Sequence, residues 1–516
     1  MTSGTITPDH AGVRAGRDGF AQLLRAEWIK FRTVRGWVIA TAAGALVMVV
    51  VGLLAASGFR CGGPGIGGCP AVPVGPGGQP VADKFYFVHQ PLDGDGSITA
   101  RVISLTGLIT YPPPHHDAIV PGVVPWAKAG IIVKQSTRQG SAYAAVMVTG
   151  SHGIRMQYDY THDVAGRPGA VSAASPRWLR LTRHGDTLTG YQSADGTHWT
   201  RIGVAHLAGL PGTVQAGLFV TSPADVEVSS GLNGGFAGRL TRGTAVFDHV
   251  GLQGTAPRGA WARDEVGHVA GAPALSVGQV KEAGGRFTVS GSGDIAPLVH
   301  GVGIEDTLLG AFAGLIVLIV VATMFVTAEY RRGLIRTTLA ASPRRGRVLA
   351  AKAAVIGSVT FVAGLAGAAV AVQLGERILR ADGNALYPVS LLTQVRVVAG
   401  TAAVLAVAAV LALGVGTLLR RSAVAVTAVI VTIVLPYLLA MASVLPAGTS
   451  EWLLRLTPAA AFAIQQSLPR YPQVISAYTP SSGHFPLAPW AGFAVLCAWA
   501  ALALGVAAWQ LRRRDA

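Results

Sequence analysis

The sequence predicts a multi-domain membrane protein, with a six-helix α-helical transmembrane domain and an all-β sandwich inserted between spans one and two. Of its 516 residues, 51% are hydrophobic and only 13% are charged, whereas soluble domains carry about 25% charged residues. Six uncharged runs are each long enough for a helix to cross a bilayer, which takes about 20 apolar residues. The first two runs are separated by residues 57–306, which contain no such run and are rich in short β-type segments.

The charge of the chain also favours a membrane. The formal net charge is +16, which indicates either nucleic acid or a membrane surface as partner. Many of the cations flank apolar runs, so we predict membrane lipid as a partner and no nucleic acid. The excess of Arg over Lys, with abundant Ala, Gly and Val, is typical of a high-GC, actinobacteria-like source.

The N-terminal part of the chain is divided into a tail and a helix. Residues 1–19 are polar and Gly-rich, which predicts a disordered cytoplasmic tail. Residues 20–35 predict an amphipathic helix that lies on the inner leaflet, with Trp28 and Phe31 on its apolar face; a cytoplasmic extension of span one is the alternative. Glu27 falls inside the apolar stripe and weakens the pattern. The stripe consists of Phe20, Leu23, Leu24, Trp28, Phe31 and Val34.

Span one is predicted at residues 36–59. Six Lys or Arg residues precede Trp37, and basic flanks stay on the cytoplasmic side, so the chain emerges outside near Ser57. Cys61 and Cys69 then bracket a Gly-rich loop, and an oxidising exterior favours a disulfide between them. Zinc binding is the weaker alternative, because a tetrahedral site needs more ligands than two sulfurs.

The region that follows predicts an extracellular β-sandwich over residues 60–256. Residues 177–203 contain three β-type segments separated by two turn motifs, one at 184–186 and one at 194–197. Many short strands at this spacing are typical of a sandwich. The Gly/Ala-rich residues 257–306 are interpreted as an extracellular stalk. Further strands are predicted at 129–135, 141–149, 154–160, 214–221, 244–252 and 286–289.

The second half of the chain, residues 307–516, is predicted to lie in the membrane. The Arg clusters at the ends of the apolar runs indicate the same orientation at every crossing. In this orientation both termini lie inside. Residues 456–469 are apolar but too short to span, which indicates a re-entrant or interfacial segment. Cys497 lies in an apolar run and is interpreted as an inert thiol. The five predicted spans are 307–328, 353–375, 397–419, 422–447 and 488–511.

The motifs of common enzymes and energy-coupling sites are missing from the sequence. It contains no phosphate-binding loop of the G-x-x-x-x-G-K-[ST] type and no H-E-x-x-H zinc motif. Intramembrane charges mark ion and proton pathways, and the predicted spans carry none away from their ends. We therefore expect no catalytic residues, no metal and no cofactor in this chain, and energy that is supplied by another chain.

Several segments together resemble the permease subunit of a type-2 ABC (ABC-2) exporter. They are RAEWIKFRTVRGW near the N-terminus, EYRRGLIRTTLAASPRRGRVLAAK between spans two and three, and LTPAAAFAIQQSLP before the last span. Their order and the six spans resemble the family over residues 20–60 and 307–516. The resemblance implies a separate ATPase subunit that holds ATP and Mg, and a homodimer or heterodimer of permeases.

The resemblance also implies that the loop after span two couples the permease to the ATPase. Glu329 and Arg332 would face the same way if the helix continued past span two, and their charges could pair with a partner surface. The alternative is that the cations only fix topology and bind anionic lipid. The predicted coupling residues are Glu329, Arg331, Arg332, Arg336, Arg344 and Arg345.

The outer region resembles a concanavalin-like or laminin-G-like jelly roll, through WAKAGIIVKQS, GSAYAAVMVT and residues 176–203. Such folds often bind carbohydrate, which implies Trp126, Trp178, Tyr191 and Trp199 as a candidate glycan surface. The alternative is that these rings form sandwich core. Hydrolysis is not expected, because the E-x-D-x-E carboxylates of the related glucanases are missing. The 115–117 His-His-Asp run is interpreted as a solvated loop rather than a metal cluster.

The sequence therefore supports two hypotheses. The first is the permease subunit of an ATP-driven exporter in the cell membrane, whose residues 57–306 are extracellular. The second is a membrane-anchored binding or sensing protein without transport activity.

Overall fold

The computed structural model describes most of the chain. The described residues are 19–59, 72–110, 118–229, 235–254, 259–268, 276–299, 302–334, 337, 344–442, 445–476 and 478–513.

Within these ranges, six helices are long and apolar enough to cross a membrane, which confirms the predicted number of spans. These six are α2, α3, α4, α5, α6 and α8. The α-helices are α1 (Phe20–Thr33), α2 (Arg35–Gly58), α3 (Ala311–Arg331), α4 (Arg345–Ala381), α5 (Leu391–Leu419), α6 (Ser422–Met441), α7 (Ala447–Leu456) and α8 (Pro489–Arg513). Three 3-10 helices cover Ile304–Leu308, Pro458–Gln465 and Pro480–Ser482.

The C-terminal half of α2 and the start of α3 approach each other closely because glycines face the contact. A Cβ at Gly310 would lie 1.9 Å from the carbonyl oxygen of Met48, and one at Gly52 would lie 2.4 Å from that of Thr307. Small residues allow helix backbones to touch in this way in membranes. This contact places the start of α3 beside α2.

Several span boundaries differ from the sequence prediction: α4 extends from Arg345 to Ala381, beyond the predicted 353–375, and α5 begins at Leu391 rather than at 397. Span five was predicted to reach residue 447, but α6 ends at Met441 and Ala447 begins the separate helix α7. The short apolar run at 456–469 contains the 3-10 helix Pro458–Gln465, every residue of which is buried. Ile464 packs there against Gly400 of α5, so protein surrounds this segment.

The β-strands all follow α2 and precede α3 in the described chain. The first part of the set is β1 (Val81–Asp83), β2 (Phe85–Asp93), β3 (Gly96–Thr110), β4 (Ile119–Pro121), β5 (Lys128–Lys134), β6 (Tyr143–Thr149), β7 (Ile154–Tyr158), β8 (His162–Ala165), β9 (Arg177–His184) and β10 (Thr187–Ser193). The second part is β11 (Thr200–His206), β12 (Thr213–Thr221), β13 (Asp225–Ser229), β14 (Gly235–Arg239), β15 (Thr241–Gly254), β16 (Ala262–Val266), β17 (Gln279–Ala283), β18 (Arg286–Gly291) and β19 (Ile295–Pro297).

The strands form two large antiparallel sheets with a common apolar core. One sheet has the order β11-β10-β9-β3-β15-β18-β17, with β4 added to β3; the other has the order β16-β2-β12-β5-β6-β7-β8. Side chains alternate along a strand, so Ile131 of β5 and Leu181 of β9 both enter the shared core. The strands β1 and β19 form a separate pair, as do β13 and β14.

The predicted stalk is wrong. Within residues 257–306, β16 pairs with β2 of one large sheet, and β17 and β18 extend the other. The Gly/Ala-rich composition of this segment concealed β16, whose partner β2 lies far away in the sequence, and β17, whereas the predicted strand at 286–289 corresponds to β18. Long strands at the start of the region, β2 and β3, were also not predicted. The three strands of residues 177–203 are confirmed as β9, β10 and β11.

A buried polar cluster lies on the face of the seven-stranded sheet that points away from the shared core. Lys134 Nζ lies 2.7 Å from Asp83 Oδ2, which also accepts hydrogen bonds from Tyr160 Oη at 2.8 Å and Gly140 N at 2.8 Å. The side chains of Asp83 and Lys134 are both 0% exposed. Burial lowers the pKa of Lys134, against the opposing effect of Asp83, and burial raises the pKa of Tyr160. We call these four residues the outer polar cluster.

Candidate functional site

The predicted coupling residues after span two occupy two different environments. The helix α3 ends at Arg331, and Gly333 then adopts a left-handed conformation with φ of 69°. Arg331 and Arg332 are exposed, whereas Glu329 is buried. The expectation that Glu329 and Arg332 share one face of a continuing helix is therefore wrong, because the helix stops between them.

Glu329 instead joins three helices through a buried ion cluster. Lys352 Nζ of α4 lies 2.6 Å from Glu329 Oε1 of α3 and 2.8 Å from Glu27 Oε2 of α1. Lys30 Nζ lies 2.8 Å from Glu27 Oε1 and 3.2 Å from Glu329 Oε1. Glu27, Glu329 and Lys352 are 3%, 6% and 1% exposed. We call Glu27, Lys30, Glu329 and Lys352 the ion cluster.

The electrostatics of the ion cluster balance two carboxylates against two cations. Buried charges are tolerated when they are paired and hydrogen-bonded. Lys352 gains further stabilisation from the ring of Phe325, whose centroid lies 5.0 Å from Nζ. Partial burial lowers the pKa of Lys30, but Glu27 and Glu329 raise it more, so its net pKa is raised. Lys30 is therefore a cation at neutral pH.

Packing around the ion cluster fixes α1 on the helix bundle. Phe31 is buried, with its ring centroid 6.0 Å from that of Phe325 and 6.3 Å from that of Trp37. Trp28 stacks on Phe31 at 6.4 Å and is 45% exposed. The predicted apolar face of α1 is thus divided, because Phe31 contacts protein and Trp28 faces outward. That α1 lies in the membrane interface stays a prediction.

The ion cluster was not predicted, although two of its members were singled out in the sequence. Glu27 was interpreted as a weakness of the apolar stripe of α1, and Glu329 as a coupling residue. A carboxylate on an otherwise apolar helix face is a signal of a buried partner. The partner itself could not be chosen from sequence, since seven Lys or Arg residues lie within 328–352.

Exposed arginines lie at the end of α3 and at the start of α4. Arg344 and Arg347 are exposed at the start of α4, and Arg345 donates a hydrogen bond from Nη1 to the carbonyl oxygen of Leu511 at 2.6 Å. A cleft of about 640 Å³ lies among Arg344, Arg345, Arg347 and Arg512. Arg336 lies outside the described residues. We define the basic surface as Arg331, Arg332, Arg344 and Arg347.

The four aromatic residues predicted to form a glycan surface differ in their exposure. Trp126 is 5% exposed and stacks on His152 with ring centroids 4.0 Å apart. Trp126 is therefore a buried packing residue, and the exposed role proposed for it is wrong. The remaining candidates, Trp178, Tyr191 and Trp199, are half-buried residues of the β9–β10–β11 edge, which we call the aromatic edge.

Contacts within the chain hold the aromatic edge in place. Tyr191 of β10 lies opposite Arg180 of β9 in the sheet. The guanidinium carbon of Arg180 lies 3.9 Å from the ring centroid of Trp199. Trp199 Nε1 donates a hydrogen bond to the carbonyl oxygen of Gly196 at 3.1 Å. Trp178 packs on Gly196 as well. These rings are fixed by the protein and remain partly open to solvent.

Two sequence hypotheses fall on residues that the structure does not describe. Cys61 and Cys69 lie outside the described residues, as does the 115–117 run, so the disulfide stays a prediction. Cys497 is a free thiol in α8. Among the residues described here, no group of three or more His, Cys, Asp or Glu could hold a metal ion.

The fold defines the class of protein as a polytopic membrane protein with a large antiparallel β region before its second span. Residues 142–516 match the family model described as ABC-2 family transporter protein. This match covers more than half of the chain, and the protein belongs to the ABC-2 transporter family. The matched range begins at the edge of β6 and omits α1 and α2, which carried part of the sequence resemblance. The family is one of membrane transport proteins.

The similarity of this chain to curated proteins and to solved structures is low. No curated protein sequence matches the chain. A structure of a functionally unknown protein from Saccharomyces cerevisiae has 17% identity over 34% of this chain and 76% of its own, with a TM-score of 0.19. The eqolisin peptidase SCP-B bound to the tripeptide Ala-Ile-His and scytalido-glutamic peptidase bound to a transition-state analog inhibitor each have 8% identity over 42% of this chain and 100% of their own. Their TM-scores are 0.24 and 0.25, too low to support any functional argument.

Proposed function

We propose that this protein is the permease subunit of an ATP-driven exporter in the cell membrane and works with a separate ATPase subunit. The observation that carries the proposal is the match to the ABC-2 transporter family over residues 142–516. The sequence has no phosphate-binding loop, so ATP and Mg are assigned to the partner. A homodimer or heterodimer of permeases completes the proposed assembly.

The exporter proposal is tested by reconstituting the full chain with candidate ABC ATPase subunits from the same organism. We expect one of these subunits to co-purify with the chain and the chain to raise its rate of ATP hydrolysis. Failure to co-purify, with an unchanged hydrolysis rate, would favour the membrane-anchored binding protein instead.

The proposed topology places α1 and the loop after α3 in the cytoplasm and residues 57–306 outside. The basic surface supports this orientation, since Arg-rich loops stay on the cytoplasmic side. We expect Ala194→Cys, in the exposed β10–β11 turn, to react with an impermeant maleimide added to intact cells. Thr337→Cys, also exposed, should react only after the cells are lysed, with the unsubstituted chain as background. The reverse pattern would overturn the topology.

We further propose that the basic surface contacts the ATPase and that the ion cluster transmits its movement. Arg331 and Arg332 are free to meet a partner, while two residues earlier in α3 Glu329 ties that helix to α1 and α4. A push on the end of α3 would therefore be shared by three helices. Glu329 acts in this scheme as a positioning residue.

The coupling proposal predicts that Arg331→Ala combined with Arg332→Ala weakens ATPase binding by at least about tenfold, since desolvated charge contacts contribute strongly to association. The stimulation of ATP hydrolysis should fall with it. The control is Arg377→Ala, an exposed arginine at the opposite end of α4. Normal binding and stimulation in the double variant would restrict these cations to fixing topology.

For the outer region we propose a jelly-roll sandwich domain that displays the aromatic edge to cell-envelope glycans. The support is the pair of antiparallel sheets with one shared core. Partly exposed aromatic rings are suited to stacking on sugar faces.

A further inference from the structure

A cavity of about 610 Å³ lies at the end of the helix bundle opposite the ion cluster. Phe59 after α2, Phe312 at the start of α3 and Tyr437 near the end of α6 contribute to its wall. Glu305 and Asp306, in the 3-10 helix before α3, line it as well. Its volume is in the range of small-molecule sites, about 300–1,000 Å³. We call it the outer cavity.

No described Lys or Arg forms an ion pair with the carboxylates of the outer cavity, although Arg396 lies near enough to act electrostatically on Glu305. Glu305 Oε2 accepts a hydrogen bond from Ser467 Oγ, but Glu305 Oε1 is buried without a hydrogen-bond partner. Asp306 Oδ2 accepts a hydrogen bond from Gly303 N at 2.8 Å. Arg396 donates its own hydrogen bond to the carbonyl oxygen of Gln466 at 2.6 Å. None of the ion pairs between described residues includes Glu305 or Asp306.

A buried carboxylate oxygen without a partner is costly, since buried charges are normally paired. The neighbouring carboxylate of Asp306 also repels that of Glu305 when both are ionised. A bound cation removes both penalties. The position of Glu305 therefore indicates a positively charged ligand.

The remainder of the wall indicates that the ligand is organic. Phe312 lies 4.2 Å from Tyr437 and 4.3 Å from Phe462 by ring centroids, and Tyr437 stacks on Phe485 at 6.5 Å. Aromatic faces attract organic cations through their quadrupoles. Leu308, Met441 and other apolar side chains form most of the remaining wall, with Gln465 and Ser482 as polar members. Inorganic Ca²⁺ would need about 6–8 oxygen ligands, whereas most side chains of this wall are aromatic or aliphatic.

We propose that the outer cavity binds a hydrophobic organic cation, with Glu305 and Asp306 neutralising its charge and Phe312 and Tyr437 holding its apolar body. This inference rests on the proposed function, because it names the class of cargo that the exporter carries. A lipid with an ammonium headgroup and a free amphipathic amine share this chemistry.

The experiment uses the purified full chain in phosphatidylglycerol nanodiscs, with empty nanodiscs as background for partitioning. The probes are tetraphenylphosphonium and tetraphenylborate, which match in size and shape and differ in the sign of their charge. We expect saturable binding of tetraphenylphosphonium alone. Glu305→Gln should weaken it by at least about thirtyfold, as expected for loss of a desolvated charge contact. Phe312→Leu should weaken it by about fivefold through loss of the aromatic face.

The matched control is Glu451→Gln, a half-exposed carboxylate of α7 that pairs with Arg455; it should bind the probe as the unsubstituted chain does. Competition by phosphatidylethanolamine added to the nanodiscs would identify a lipid as the natural cation, and its failure to compete would identify a free molecule. Equal binding of tetraphenylborate, or unchanged binding by Glu305→Gln, would overturn the inference. If Glu305→Gln does not insert, Phe312→Leu decides the question, and unchanged binding by that variant overturns the inference.

This assay contains no ATPase, so its failure is separable from failure of the exporter proposal. Saturable cation binding without any stimulation of the ATPase would overturn the transport function and leave the cavity assignment. Stimulation of the ATPase without cation binding would overturn the cavity assignment alone.

Discussion

Replacement of Lys352 by methionine is expected to destabilise the membrane domain by about 3–5 kcal/mol, the cost of removing one partner from a buried ion pair. Lys352 Nζ is the contact shared by Glu27 and Glu329, at 2.8 Å and 2.6 Å. Without it, the two carboxylates remain buried with only the partly exposed Lys30 nearby. The free energy of unfolding would be measured by titration of the purified chain with SDS in mixed micelles.

The controls separate loss of the pair from loss of a side chain. Lys30→Met removes a cation that is 37% exposed, and surface ion pairs contribute only about 0–1 kcal/mol. Combined replacement of Lys352, Glu27 and Glu329 by methionine should recover much of the lost stability, because apolar groups of similar volume often substitute for a buried ion network. A single Lys352→Met variant as stable as the unsubstituted chain would contradict the assigned role of the ion cluster.

The second large effect is expected in the outer polar cluster. Asp83→Ala should cost the outer region about 3–5 kcal/mol, because it leaves the fully buried Lys134 without its counter-ion. Tyr160 and the amide of Gly140 also lose their acceptor. Urea-dependent pulse proteolysis of the full chain in nanodiscs would report the midpoint for unfolding of the strands.

The matched control is Glu282→Ala on β17, whose carboxylate is 42% exposed and lies 3.4 Å from Arg263. Removal of that surface pair should change the stability by less than about 1 kcal/mol. Equal midpoints for Asp83→Ala and Glu282→Ala would show that the outer polar cluster contributes no more than a surface ion pair.

Local sequence patterns were enough to predict the membrane helices and many of the strands. Span positions follow from runs of apolar residues, which are local and as long as a bilayer is thick. The three strands at 177–203 were also predictable, because alternation and turn residues are local signals. Arg-rich segments and their order were enough to identify the resemblance to the ABC-2 family, to which the chain belongs.

Which distant residues are in contact could be learned only from the folded structure. Glu27, Glu329 and Lys352 come from three separate parts of the chain, and Asp83 and Lys134 belong to different sheets. The strand β16 within the supposed stalk was hidden for the same reason, since its partner β2 lies far away in the sequence. A buried charge looks like a surface charge in the sequence, because burial and pairing depend on distances that local patterns do not contain. The desolvation that makes Glu27 and Glu329 structural arises only when the helices pack.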